Sequence, residues 1–224
     1  MTNKNRKAHA QVAAADNEVM ATEMNRRLTL AMTGASGSVF AAQMLRMLVA
    51  DERVERVDFV PTESALRVLA EELGVNGRVD LVRNLLGDAA DSVAAGKVKL
   101  HADADIGASI ASGSYPSWGM IVLPCSMGTL AGIAHGMASG LVERAADVCL
   151  KERRRLVLCV RETPFNLIHL HNMTAVTEAG ATVYPVMPTL YDKPETTATM
   201  ALQFVQRVLG YVGLPQDGAY VWRG

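Results

Sequence analysis

The sequence predicts an α/β fold in which a doubly wound, mostly parallel sheet carries helices on both faces. Short aliphatic runs recur along the chain, and each is followed by a stretch of helical periodicity. The runs are continuously apolar rather than alternating, as strands buried on both faces are. Small, hydroxyl and charged residues gather just after several of them, where such a sheet presents its ligand crevice.

Residues 1–26 are polar and alanine-rich and read as a flexible N-terminal extension; 27–224 reads as a single domain. Strands are expected at Leu28–Met32, Val57–Val60, Met120–Leu123, Leu156–Val160 and Thr182–Val186. Helices are expected at Val39–Val49, Ser64–Leu73, Leu130–Ala134, Leu141–Lys151, Leu167–Glu178 and Thr196–Leu209. The segment from Asn76 to Ile110 is less regular, with a helix near Asp80–Leu86 and a short strand near Val98–His101. No repeat or low-complexity tract divides the body.

A net charge of −1 leaves no electrostatic footprint for nucleic acid. Cys125, Cys149 and Cys159 lack CxxC spacing, which argues against a disulfide framework or zinc site and for a reducing compartment. No apolar run approaches the roughly 18–20 residues of a membrane span, and no signal-peptide core is visible. A cytoplasmic protein is expected.

The first strand ends in Thr33-Gly34-Ala35-Ser36-Gly37-Ser38. Such a turn either admits an anion to a helix N-terminus or simply caps the helix. It is not a Walker loop, because no Gly-Lys-Ser/Thr follows. Ala111-Ser112-Gly113-Ser114 is turn chemistry that also offers hydroxyl and backbone donors. Pro124-Cys125-Ser126-Met127-Gly128-Thr129-Leu130 repeats the strand–turn–helix arrangement. Two such turns in one sheet favour a ligand with a phosphate and an extended polar body, such as a flavin mononucleotide. Cys125 reads as a small buried thiol in preference to a nucleophile, since nothing places a base beside it. Arg144, Asp147 and Lys151 share one helical stripe, which by spacing is a solvated face, although Ala145 and Ala146 suit close packing against a neighbour. Arg161-Glu162 follows a buried strand directly and is stopped by Pro164, a place where Arg can bind phosphate and Glu can carry a proton. Tyr191 and Lys193 follow the last strand as further donors.

Taken together, TGASG, ASGS, PCSMGTLAGIAHG, LVERAADVCLKERR, VRETP and the tyrosine loop ending at Pro194 resemble the UbiX-type flavin prenyltransferases. The order and spacing fit from about Leu28 to the C-terminus. The resemblance implies a Rossmann-like, flavodoxin-like fold and a dodecamer whose active sites are shared between subunits. It implies metal-independent transfer of a dimethylallyl group from dimethylallyl monophosphate to N5 and C6 of reduced FMN. The product, prenylated FMN, would serve a UbiD-type decarboxylase.

Carried over by position, Gly34, Ala35 and Ser36, Thr62, and Ser126, Met127 and Thr129 would bind FMN, with Arg144 and Arg161 adjoining it. Lys151, Arg161, Tyr191, Arg207 and Gly113 would surround the prenyl phosphate. Glu162, Glu72, Lys151 and Ser112 are the implied catalytic residues, with Glu162 handling protons. The residue types suit the chemistry, because a monophosphate leaves only when its developing charge is stabilised. On this reading Arg144 and Lys151 are site residues, supplied to a neighbouring subunit, rather than a solvated face.

Two departures bear on the prenyl pocket: Ile106 stands where the family usually carries an aromatic residue, and Leu190 where Phe is common. A non-catalytic FMN carrier of a decarboxylase system is the alternative that the Ile106 departure suggests. A flavin-dependent cysteine decarboxylase fits less well, because Pro61-Thr62-Glu63-Ser64 holds no histidine and Asn172-Met173 lacks the rest of that group's substrate clamp.

Overall fold

The computed structural model describes residues 26–76, 79–87, 96–191 and 193–222. The expected N-terminal extension lies outside the described residues, save Arg26, which opens the first strand. The elements run β1 (Arg26–Met32), α1 (Ser38–Ala50), β2 (Val54–Pro61), α2 (Glu63–Leu73), α3 (Leu81–Leu86), β3 (Val98–Leu100), β4 (Gly119–Cys125), α4 (Met127–Ala134), α5 (Leu141–Lys151), β5 (Arg155–Val160), α6 (Leu167–Glu178), β6 (Thr182–Val183) and α7 (Thr197–Tyr211).

Six strands form one sheet in the order β3-β2-β1-β4-β5-β6, and every pairing is parallel. Leu30 lies level with Phe59 on one side and Ile121 on the other. The interior strands are buried along nearly their whole length, which is why they read as aliphatic runs.

One face of the sheet packs against α1, α2, α3 and α7 through residues such as Leu45, Leu69, Leu85 and Phe204. The other packs against α4, α5 and α6 through Leu130, Leu141 and Val176. On that second face the crossover from β3 to β4 is a strap, residues 101–118, holding only the short 3₁₀ turn Ser109–Ala111. Ile110 and Tyr115 fasten it to the core.

Chain direction reverses its progress across the sheet between β1 and β4, so the crevice belongs at their carboxyl ends. Several strands run longer than expected, β2 from Val54 to Pro61 among them, and two other elements shift for a clear local reason. Helix α4 begins three residues early, at Met127, because the Ser126 side chain accepts from the Thr129 amide and caps it there. Strand β6 stops at Val183, since Pro185 has no amide to continue the ladder. Tyr184 and Val186 still donate to β5 carbonyls, at 2.8 and 2.9 Å.

Candidate functional site

Thr33, buried at the end of β1, ties the two turns of the crevice together. Its Oγ1 donates to the Pro124 carbonyl at 2.8 Å and accepts from the Ser126 amide at 2.8 Å. The Thr33 amide reaches the same Pro124 carbonyl at 3.2 Å. The tie continues to β5, where the Arg161 amide donates to the Cys125 carbonyl at 3.1 Å. Ser126 and Thr129 hydroxyls lie 3.1 Å apart at the head of α4. Among the described residues the Met127 and Gly128 amides have no protein acceptor, so this helix start is open to an anion.

The head of α1 is different, because Glu72 of α2 already occupies it. Its carboxylate accepts from the Gly37 amide, at 3.0 Å to each oxygen, and from the Ser38 amide at 2.7 Å. Burial pushes the Glu72 carboxyl up, but the Ser36 and Ser38 hydroxyls and the two amides outweigh it and hold the group below its ordinary value. Glu72 is therefore a carboxylate at neutral pH, beside the Ser36 hydroxyl. Gly34 is needed for a second reason: a Cβ there would lie 2.6 Å from Ser64 Cβ and Oγ. Thr62 caps α2, accepting from the Ala65 amide at 3.1 Å, and its hydroxyl lies 3.0 Å from that of Ser64. The structure thus brings Gly34, Ala35, Ser36, Thr62, Glu72, Ser126, Met127 and Thr129 to one crevice.

Arg161 and Glu162 emerge beside it at the end of β5, both exposed. Among the described residues the Glu162 side chain accepts only from the Thr163 amide, at 2.9 Å, and the Arg161 guanidinium has no partner. Cys125 is wholly buried and its thiol is pushed up to about 12 by that burial, so it is inert at neutral pH.

Tyr191 and Arg207 share a cleft of about 350 Å³ with Thr189, Tyr220 and Trp222. Tyr191 stacks on Tyr220 with ring centroids 6.0 Å apart and 10° between planes, and lies 5.3 Å from the Trp222 ring. Sequence reasoning missed Tyr220 and Trp222. The signal was available, in that a chain with only 5% aromatic residues places two of them within three positions near its end.

Ser112, Gly113, Arg144 and Lys151 form a second group. Arg144 donates through Nε to the Ala111 carbonyl at 3.2 Å and pairs with Asp147 at 2.7 Å. Lys151 pairs with Glu152, and a Cβ on Gly113 would lie 2.6 Å from Lys151 Nζ. Ser112 is exposed, with its hydroxyl 2.9 Å from that of Ser114. Ala145 and Ala146 are buried, as their size suggested.

Lys151 ends α5, four residues before β5 begins, and Glu162 lies two residues beyond that strand's end. A strand of six residues is about 20 Å long, so the two lie at opposite edges of the sheet. Arg144 sits nearer the middle, about 10 Å along α5 from Lys151. A single copy of the chain therefore does not unite Lys151 with Arg161 and Glu162 around one small substrate.

Comparison with known proteins identifies the family. The Flavoprotein family model matches residues 16–210. The flavin prenyltransferase UbiX of Alkalihalophilus pseudofirmus is 40% identical over 197 residues, covering 87% of this chain and 95% of that protein. The UbiX of Escherichia coli K12 is 39% identical over 202 residues, covering 89% and 99%. Among solved structures, AnUbiX (PadA1) in complex with FMN and dimethylallyl pyrophosphate superposes with a TM-score of 0.79 at 37% identity, covering 90% of this chain and 99% of that one. A dodecameric FMN-dependent UbiX-like decarboxylase from Escherichia coli O157:H7 superposes at 0.78 with 40% identity, covering 88% and 100%. The FMN-dependent cysteine decarboxylase TvaF, at 0.54 and 18% identity over 71% of this chain and 90% of that one, shares the fold alone. With near-complete coverage in both directions, the chain belongs to the UbiX family of flavin prenyltransferases.

Proposed function

We propose that the protein transfers a dimethylallyl group from dimethylallyl monophosphate to N5 and C6 of reduced FMN, in a homo-oligomer, and that the prenylated FMN serves a UbiD-type decarboxylase. The observation that carries this reading is the crevice at the β1–β4 switch point: an open helix start, two hydroxyl-rich turns tied by Thr33, and a neighbouring Arg-Glu pair. The relatives named flavin prenyltransferase, and the similar structure holding FMN with a dimethylallyl ester, support the substrate pair.

FMN is the acceptor. Its phosphate suits the open Met127 and Gly128 amides with the Ser126 and Thr129 hydroxyls, while Gly34, Ala35, Ser36 and Thr62 line the flavin's side. The Gly37 and Ser38 amides are committed to Glu72 and take no part. The Arg161 guanidinium, with Tyr191 and Arg207, draws the prenyl phosphate and offsets the charge that grows as it departs. Glu162 is exposed and carries no ion pair among the described residues, so it is available to accept the proton lost from the flavin. Glu72, a carboxylate against Ser36, orients that hydroxyl. Tyr191, Tyr220 and Trp222 offer π faces beside Arg207.

Lys151, with Arg144, Ser112 and Gly113, reaches this crevice from a second copy, since its own crevice lies across the sheet. The exposed Phe165, Leu167, Ile168 and Leu170 around the start of α6 are apolar surface that such an assembly covers. The dodecameric relative supports the same assembly. Residues 27–224 act as one unit. Three unpaired, buried cysteines suit a cytoplasmic location, and no described helix is long and apolar enough to cross a membrane.

The test is anaerobic incubation of the purified protein with reduced FMN and dimethylallyl monophosphate. A flavin heavier by one prenyl unit supports the proposal; bound but unchanged FMN supports a carrier instead.

A further inference from the structure

Asp58 is a carboxylate buried in the sheet, 1% exposed, on the β2 face that the strap covers. Burying a charge is costly unless donors meet it, and Val60, two residues on, shows that an aliphatic side chain suits this face. Here donors from both ends of the strap meet the carboxylate. Oδ1 lies 2.8 Å from His101 Nε2, and Oδ2 accepts from the Tyr115 hydroxyl at 2.7 Å. Arg56 Nε approaches Oδ1 at 3.4 Å. His101 is also buried, and its amide donates to the Phe59 carbonyl at 2.9 Å. Burial and the Asp58 carboxylate push the Tyr115 hydroxyl up to about 12, so it remains a donor throughout the neutral range.

The chain between these two anchors does three things. It caps α5: the Asp103 carbonyl accepts from the Leu141 amide at 2.6 Å and its side chain from the Val142 amide at 2.9 Å. It grips the side of α5, through the Ala111 carbonyl and Arg144. It then meets the end of α5, where the Gly113 carbonyl accepts from Arg154 at 2.6 Å beside Lys151. One carboxylate on β2 thereby holds both ends of the segment that sets α5.

We propose that Asp58, through His101 and Tyr115, is a positioning residue for the prenyl-phosphate end of the site. It fixes the strap that holds Ser112 and Gly113 against Arg144 and Lys151. This rests on the prenyltransferase reading above, but the strap's rigidity can be measured without it.

Tyr115→Phe deletes one donor and keeps the ring; Asp58→Asn deletes the charge and keeps the shape. In each variant the KM for dimethylallyl monophosphate rises roughly fivefold or more, and FMN affinity falls by less. Amide hydrogen exchange, measured without substrates, quickens about tenfold across residues 101–115 and at Leu141 and Val142, and not in β1 or β4. In Tyr115→Phe, unchanged exchange, unchanged KM, or equal weakening of FMN and dimethylallyl monophosphate overturns the proposal. Should Asp58→Asn fail to fold, Tyr115→Phe decides alone. A wild-type chain that makes no prenylated FMN overturns the prenyltransferase reading instead, and the exchange data then still judge whether Asp58 fixes the strap.

Discussion

Replacing Thr33 by Val keeps the shape of the side chain and removes its hydroxyl, so it isolates the tie between the β1 and β4 turns. Two hydrogen bonds of 2.8 Å are lost. The Pro124 carbonyl keeps the Thr33 amide at 3.2 Å, so only the Ser126 amide is orphaned. An orphaned, part-buried donor costs about 1–2 kcal/mol, near the lower half of the usual range because one partner remains satisfied. For a domain of this size that lowers Tm by roughly 2–8 °C. Thermal unfolding at fixed protein concentration measures it, with FMN titration alongside. Because Ser126 caps α4, FMN affinity should fall in the same variant, by about tenfold if the turn shifts. A Thr33→Val protein with unchanged Tm and unchanged FMN affinity would refute the idea that this hydroxyl holds the crevice together.

Gly34→Ala should destabilise by roughly 1–3 kcal/mol, since the new Cβ would lie 2.6 Å from Ser64. Adding Ser64→Gly should restore most of that loss in denaturant unfolding, and no restoration would point to another cause. Glu72 is held below its ordinary value, so its contribution is complete above about pH 4–5 and disappears as the pH falls through the lower folded value. Wild type should therefore exceed Glu72→Gln in stability by a constant margin from pH 8 to pH 5, and the margin should close on further acidification. A margin that widened below pH 4 would contradict the assignment.

The strands and most helices were legible because their apolar periodicity is local. So were the two crevice turns and the Arg161-Glu162 strand end, since each follows an aliphatic run directly. Cys125 was read correctly as a buried thiol for the same reason. What escaped depends on contacts between distant parts of the chain. Glu72 caps a helix that begins 34 residues before it, and no spacing rule reports that. The strap up to Ile110 was seen only as irregular sequence, although its Ser112-Gly113 turn was picked out, because its order comes from Asp58 and not from periodicity. Tyr220 and Trp222 matter only once the end of the chain folds back on Tyr191. The charged stripe of α5 proved mixed: Arg144 is paired with Asp147 as a solvated stripe suggests, yet it also grips the strap. The edge at which Lys151 lies follows only from topology.

That topology underlies the central claim, that prenyl transfer takes place where the strand ends of one copy meet α5 of another. Lys151→Ala and Glu162→Gln should each lower prenylation about a hundredfold when every subunit carries the change. Oligomers assembled from equal amounts of the two variants, differently tagged and purified through both tags, test the claim most directly. If Lys151 and Glu162 of one site come from different copies, about a quarter of the sites regain both residues, and activity returns to about that share of wild type. Mixed oligomers as inactive as either parent would contradict the account.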